Sequence, residues 1–518
     1  MRRRSFVRKS KRAEGKQQEE NIFTPLFKEL RRNADNIKEM LDDPDDLVIR
    51  EFTVGEENYS CAVVYIDGLI DRDLIQNSML ESLQNITIER KKAKRIEVVF
   101  EEIYKEFISI TKIDQGTTLE DVSNAILSGK AVFYLDGMNI VLIMDAMGGE
   151  TRAIEQPITE TLIRGPRTSF VENLGTNLSL LRRNIRAPNL RLKTQTIGRR
   201  SKSSLVVAYV EDIVNPEILK EVTRRLNTIE IADAPESGFI EQWIEDSFLS
   251  PFPQLLDTER PDMVSTSLLQ GKVAILLDGT PFVLVMPITI GDMFKSPEDN
   301  YERWLYGTLL RILRYFGAFL ALFLPGLYIA LTSFHQGLLP SKLAFSIAAA
   351  REGVPFPPLA EAILMVVTME LLQEAGVRLP TPIGQTIGIV GGLVIGEAAV
   401  QAGIVSPTMV IVVALTAIAS FTTPTFSLGI SLRILRFAFM FAAAALGLYG
   451  VILIYIMINI HIVNLTSFGI PYSTPFAPTM LKDFKDLILR APRSMLTKRP
   501  EYLQPEDPTA ANKGERKS

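Results

Sequence analysis

RLPTPIGQTIGIVGGLVIGEAAVQAGIVSPTMVIVVALTAIASF, from Arg378 to Phe421, is the stretch that decides how this chain is built. Gly384, Gly388, Gly392 and Gly396 recur every fourth residue. An α-helix carries such residues on nearly one side, so they form a stripe bare of side chains. In water each helical glycine costs about 1 kcal/mol relative to alanine. Inside a bilayer, where backbone groups pair within the helix, the same glycines let a neighbouring helix approach closely. A phosphate-cradling glycine loop would need a strand before it and a helix after it. Here apolar residues run almost unbroken for two bilayer crossings, and the stripe predicts a membrane helix contact.

One charge sits in the same helix. On a helical wheel with about 100° per residue, Glu397 and Gln401 fall roughly opposite the glycines. An ionisable group at that depth marks a cavity or a buried contact. Two roles stand open for it, packing against a neighbouring helix and lining an ion path.

Working outward, the 518 residues divide by composition. Residues 1 to 300 are charged and mixed, whereas from Tyr315 to Leu465 charges are few and clustered. The fold class expected is an α/β tandem-repeat soluble N-terminal region followed by an α-helical polytopic membrane domain. A formal net charge of −4 argues against nucleic acid as the main partner. Cys61 is the single cysteine, which excludes an intrachain disulfide or a cysteine-based zinc site. The Gly-Lys pairs at 129 and 271 are followed by Ala131 and Val273 rather than Ser or Thr, so neither is a nucleotide-binding loop. With no zinc-protease, nucleophile-elbow or kinase signature, the chain reads as a non-enzyme without cofactor or metal.

The soluble half contains a repeat. SGKAVFYLDGMNIVLIMDA, from Ser128 to Ala146, matches QGKVAILLDGTPFVLVMPI, from Gln270 to Ile288. Each copy predicts a β-hairpin turning at Asp-Gly. Val63-Val64-Tyr65-Ile66 is echoed by Val207-Ala208-Tyr209-Val210, and helical patterns follow at Leu74 to Leu83 and Ile218 to Leu226. The expected organisation is a basic tail and helical arm over 1–47, α/β subdomains over 48–150 and 203–300, and a basic amphipathic connector over 151–202. That connector either lies on a membrane surface or packs between subdomains with its arginines in water. The basic first twenty residues lack an apolar core and read as a disordered tail rather than a secretory signal.

The membrane domain is expected over 301–465, followed by a soluble tail over 466–518. Tyr315 to Phe334 is twenty uncharged residues, long enough to span, and Arg311 and Arg314 before it place the soluble half on the cytoplasmic side. Ser341 to Ala350 suits an interfacial helix. Further spans are expected at Ile383 to Val405, Thr408 to Leu428 and Phe437 to Ile462. Leu359 to Val377 has spanning length but carries Glu361, Glu370 and Glu374. If it crosses there are five spans, and if it is re-entrant there are four. Glu370 and Glu374 lie one helical turn apart with no lysine or arginine inside the segment, so that face is expected to line water, with Glu361 on the opposite side. The alternative is that both carboxylates bond to a neighbouring subunit and line nothing.

Four motifs carry a family resemblance: Ile163-Arg164-Gly165-Pro166; SIAAAREGVPFP from Ser346 to Pro357; EAGVRLPTPIGQTIGIVGGLVIGEAAVQAGIVS from Glu374 to Ser406; and VVALTAIASF from Val412 to Phe421. Over nearly the whole chain beyond the basic tail, the sequence resembles the A subunits of the GerA-family nutrient germination receptors of bacterial endospores. SpoVAF-type sporulation proteins are close relatives of the same architecture. The resemblance implies a protein of the spore inner membrane with B and C subunits as partners, forming a homo-oligomeric channel that releases ions when nutrient is sensed. A non-conducting scaffold and a secondary transporter are the other classes. In the channel reading Glu361, Glu370, Glu374, Glu397 and Gln401 belong to the ion path.

Overall fold

The computed structural model of the chain describes residues 24–54, 58–71, 75–76, 96–106, 113–146, 156–157, 160–378, 392 and 394–511. The basic tail, most of the helical pattern at Leu74 to Leu83, and Gly384 and Gly388 lie outside these residues. Two compact units make up the chain, Met1–Gly149 and Glu150–Ser518.

In the first unit the elements are α1 (Leu30–Leu41), β1 (Leu47–Val54), β2 (Tyr59–Ile66), α2 (Ile96–Glu106), β3 (Ile113–Gly116), α3 (Leu119–Leu127), β4 (Ala131–Leu135) and β5 (Val141–Met144). The strands form one antiparallel sheet in the order β1-β2-β4-β5-β3. Alternate residues of a strand face opposite sides. Val63, Phe133 and Leu142 accordingly pack with Val99 and Ile103 of α2, while Ala62, Val64 and Val132 pack with Ile37 of α1 and Val122 and Ile126 of α3. A sheet apolar on both faces needs a helical cover on each, which is what these helices supply.

The second unit begins with the same design. It contains α4 (Leu174–Asn184), β6 (Leu190–Ile197), β7 (Ser203–Val210), α5 (Pro216–Leu226), α6 (Ser237–Ile244), β8 (Leu256–Thr258), α7 (Pro261–Leu268), β9 (Val273–Leu277) and β10 (Val283–Met286). The sheet order is β6-β7-β9-β10-β8, the first sheet's order position for position. The match extends to single bonds. Gly137 and Gly279, at φ +90° and +92°, make the hairpin turns, where a residue with a side chain would be strained. The preceding carboxylates accept from a helix start, Leu30 N to Asp136 Oδ1 at 2.9 Å and Leu174 N to Asp278 Oδ1 at 3.2 Å. Asp-Gly therefore does two jobs in each copy, turning the hairpin and satisfying an otherwise orphaned N–H. Asn33 and Asn177 likewise bond both backbone groups of Phe27 and Val171, residues equivalent in the repeat.

This pairing corrects the expected connector. Residues 174–184 and 190–197 are α4 and the edge strand β6, so the second subdomain starts well before 203. The leucine spacing of α4 serves the sheet: Leu180 and Leu181 pack with Val206, Ala208 and Leu276. Arg182, read as part of a solvated or lipid-facing basic run, is buried and donates to Leu190 O at 3.2 Å.

After β10 the longer helices bounded among the described residues are α8 (Trp304–Ser333), α9 (Ser341–Arg351), α10 (Pro358–Arg378), α11 (Pro407–Ser420), α12 (Phe426–Leu446) and α13 (Leu448–Asn464). Only α8 and α12, among the described residues, are long and apolar enough by length and composition to cross a membrane. The spans expected at Thr408 to Leu428 and Phe437 to Ile462 are each cut. α11 stops at Ser420, and the chain reverses between α12 and α13 at Gly447, whose φ of +61° is open to glycine. At Gly450 a Cβ would run into the carbonyl of Ala442, which shows how closely the two helices lie. The tail then returns to the second subdomain. Ile290 N donates to Tyr472 O at 2.8 Å, and Tyr502 and Leu503 join the core of Ile218, Val222 and Ile275.

Candidate functional site

The candidate site is built around α10, because it carries three carboxylates through the helical bundle. Pro358 starts the helix where its missing N–H costs nothing, and Ala362, Met365 and Val366 seat it against α8, α11 and α12. Its opposite face is open: Leu364, Val367 and Leu371 are exposed.

Each carboxylate meets a different environment. Glu361 has no exposed side-chain surface; its Oε1 lies 3.0 Å from Arg351 Nη2 at the end of α9, and its Oε2 accepts from Ser406 N at 2.9 Å. The residue therefore ties α9, α10 and the start of α11 together. Glu370 lies about two and a half helical turns further along and faces α12, with Oε2 3.3 Å from Arg433 Nη1 and Oε1 3.7 Å from Arg436 Nη1. Arg433 also donates to Gln373 at 3.1 Å, and Arg436 Nε to Ala321 O of α8 at 2.8 Å. Glu374 is exposed and pairs with Arg378 one turn on, at 2.7 Å. Beyond them, in the helical residues 394–401, Glu397 accepts from Gln401 at 3.0 Å, and both are exposed.

The expected pair of water-facing carboxylates is thus divided. Glu370 is held between α10 and α12 by two arginines, and Glu374 turns to the open side. Glu361, expected at the margin, is the most deeply buried of the three. Of the glycine stripe, Gly392 meets nothing within 4 Å of where a Cβ would stand, and Gly396 faces Val410 of α11 at 3.7 Å.

A second constellation lies at the base of α8. Asp299, fully buried, receives Arg311 Nε and Arg314 Nη1 at 2.8 Å each, while its backbone carbonyl accepts from Arg490 of the tail at 3.2 Å. Nearby, Asp292 pairs with Lys272 at 2.8 Å and Lys295 at 3.1 Å and accepts from Tyr502 at 3.2 Å. Burial pushes the Asp292 carboxyl up, but the two lysines outweigh it and hold it well below the usual carboxylate range. Arg311 and Arg314, expected only as the flank of a span, are buried charge partners here, as is Arg436 of the pair Arg433 and Arg436. Their spacing, three residues apart in each case, was the available signal that both members of a pair face one way along a helix. What this arrangement can do chemically is hold fixed charges inside an otherwise apolar bundle.

A family model described as Bacillus/Clostridium GerA spore germination protein matches residues 35–502. Spore germination protein GerLA of Bacillus cereus is 50% identical over 473 residues, covering 91% of this chain and 95% of that protein. Spore germination protein B1 of Bacillus subtilis (strain 168) is 43% identical, covering 92% and 98%. Among solved structures, the N-terminal domain of the A subunit of the Bacillus megaterium spore germinant receptor GerK3 matches with 33% identity and a TM-score of 0.40, covering 51% of this chain and 96% of that one.

Proposed function

The chain belongs to the Bacillus/Clostridium GerA spore germination protein family, and on that footing we propose that it is the A subunit of a nutrient-responsive germination receptor, seated in the spore inner membrane with B and C subunits as partners. The observation that carries the membrane placement is the inverted polarity of the bundle. Arg311, Arg314, Arg436 and Glu361 are buried inside it, while Leu309, Phe316, Ile434, Phe441, Ile452 and Ile456 are exposed on its outside. Water would reverse that arrangement, whereas hydrocarbon favours it. The docked tail adds a constraint on topology. A chain whose tail packs into the subdomain preceding α8 enters and leaves the bundle on one side, so it crosses an even number of times.

In this reading the second subdomain and tail are cytoplasmic, and copies of the chain assemble through the open faces of α10 and of the glycine-bearing helix. Assembly brings Glu374, Glu397 and Gln401 into rings, and a ring of carboxylates attracts cations. A non-conducting scaffold is the second reading, favoured by the pairing of Glu370 with Arg433 and Arg436, which neutralises that carboxylate within one chain. The role in germination is tested in spores lacking the chain. Nutrient-triggered ion release is expected to fall at least tenfold for one class of nutrient and to return on complementation. Unchanged release for every nutrient, with no paralogue substituting, contradicts the receptor reading.

A further inference from the structure

The second α/β subdomain exposes two large apolar residues side by side, Phe248 at 81% and Leu249 at 80%. They stand at the tip of the loop between α6 and β8, and bonds hold that loop on either side. Before the tip, Asp246 pairs with Arg225 at 2.8 Å and accepts from Phe468 N at 2.8 Å. After it, Ser250 Oγ lies 2.8 Å from His461 Nε2, Phe252 stacks on the His461 ring, and the Pro251 carbonyl accepts from Ser431 Oγ of α12. The tip is held away from the subdomain's own core. Exposing both side chains to water forgoes about 3 kcal/mol or more of burial, so the position asks for an apolar partner.

The level of the tip identifies that partner. His461 lies in the last turn of α13, about 4.5 Å along the axis from its end. Just before it, Ile456, Met457 and Ile460 are each more than half exposed on the outer surface of α13. Phe248 and Leu249 continue that apolar surface to the place where the helix ends. We propose that Phe248 and Leu249 insert into the headgroup and acyl boundary of a lipid bilayer and seat the second α/β subdomain on the membrane surface. The proposal rests on the placement of the helical bundle in a membrane proposed above, with the outer surface of α13 facing lipid. It fits lipid better than a polar protein surface, because the tip carries no charge of its own and the nearest acid, Asp246, is engaged by Arg225. Interfacial apolar side chains of this kind bury about 5–10 Å into the boundary.

The test places a nitroxide label at Leu249→Cys in the full chain, reconstituted in phosphatidylethanolamine–phosphatidylglycerol vesicles. Collision rates with oxygen and with a water-soluble nickel chelate are then compared. Two reference labels accompany it, Ile456→Cys on the outer face of α13 and Lys220→Cys on the exposed side of α5. Two backgrounds guard against misfolding: Cys61→Ser, and the parent Cys61, whose thiol burial pushes up to about 12 and so leaves unreactive. The expected result is an oxygen-to-nickel ratio at Leu249 several-fold above that at Lys220 and approaching that at Ile456. A ratio equal to that of Lys220 overturns the proposal, and so does protection from both reagents, which indicates a protein partner or a second copy. If Ile456 itself reads as water-exposed, the membrane placement has failed first, and the anchor falls with it.

Discussion

Glu361 and Glu374 occupy one helix and each meets an arginine, yet burial separates them. Glu361 and Arg351 sit with 0% and 20% of their side chains exposed, whereas Glu374 and Arg378 stand at 63% and 78%. Removing one member of a buried pair leaves the other charge uncompensated and costs about 3–5 kcal/mol, while an exposed pair at this spacing contributes about 0.5 kcal/mol. Glu361→Gln is therefore expected to lower the thermal midpoint of the purified protein in detergent by several degrees, with Glu374→Gln indistinguishable from the parent. Equal midpoints for the two variants would remove the anchoring role assigned to Glu361. The spacing of the carboxylates was legible in the sequence, but their partners were not. Arg351, Arg433 and Arg436 come from other elements, and a local pattern reports only what shares its own helix.

At the scale of elements, glycines decide which helices touch. Gly450 lies against the Ala442 carbonyl, and Gly326 would bring a Cβ to 3.2 Å from Phe439 O, so α12 is gripped on both sides by helices that lack a side chain at the contact. Gly392 has open space at the same position within one chain. Gly450→Ala is expected to destabilise the α12–α13 hairpin, and Gly392→Ala to leave the fold of the single chain intact, as measured by protease resistance of the detergent-solubilised protein. Equal resistance of Gly450→Ala and the parent would contradict the close approach. The hairpins at Asp136-Gly137 and Asp278-Gly279 were legible because turn chemistry is local. The reversal at Gly447 was not, since AAAALGLYGV is apolar on both sides of the turn and hydropathy runs straight through it. Nor was β6, whose polar alternation looks like a basic linker until β7 is placed beside it.

For the whole molecule, two duplicated α/β folds precede a bundle that buries Arg311, Arg314, Arg436 and Glu361, and the tail closes back onto the second of those folds. The division into a mixed half and an apolar half was readable from composition alone. The return of the tail was not, because Asp292, Lys272 and Tyr502 are far apart in sequence and meet only when the fold is complete. The function proposed for this chain is that copies of it together pass ions through a membrane. The most direct measurement is cation flux through the purified protein in sealed vesicles, for the parent and for the Glu374→Gln, Glu397→Gln double variant, whose two carboxylates stand exposed on the open side of the bundle. The account predicts flux in the parent and an altered rate or cation preference in the variant, with assembly retained. An assembled parent that conducts nothing, or a variant that conducts identically, would contradict it.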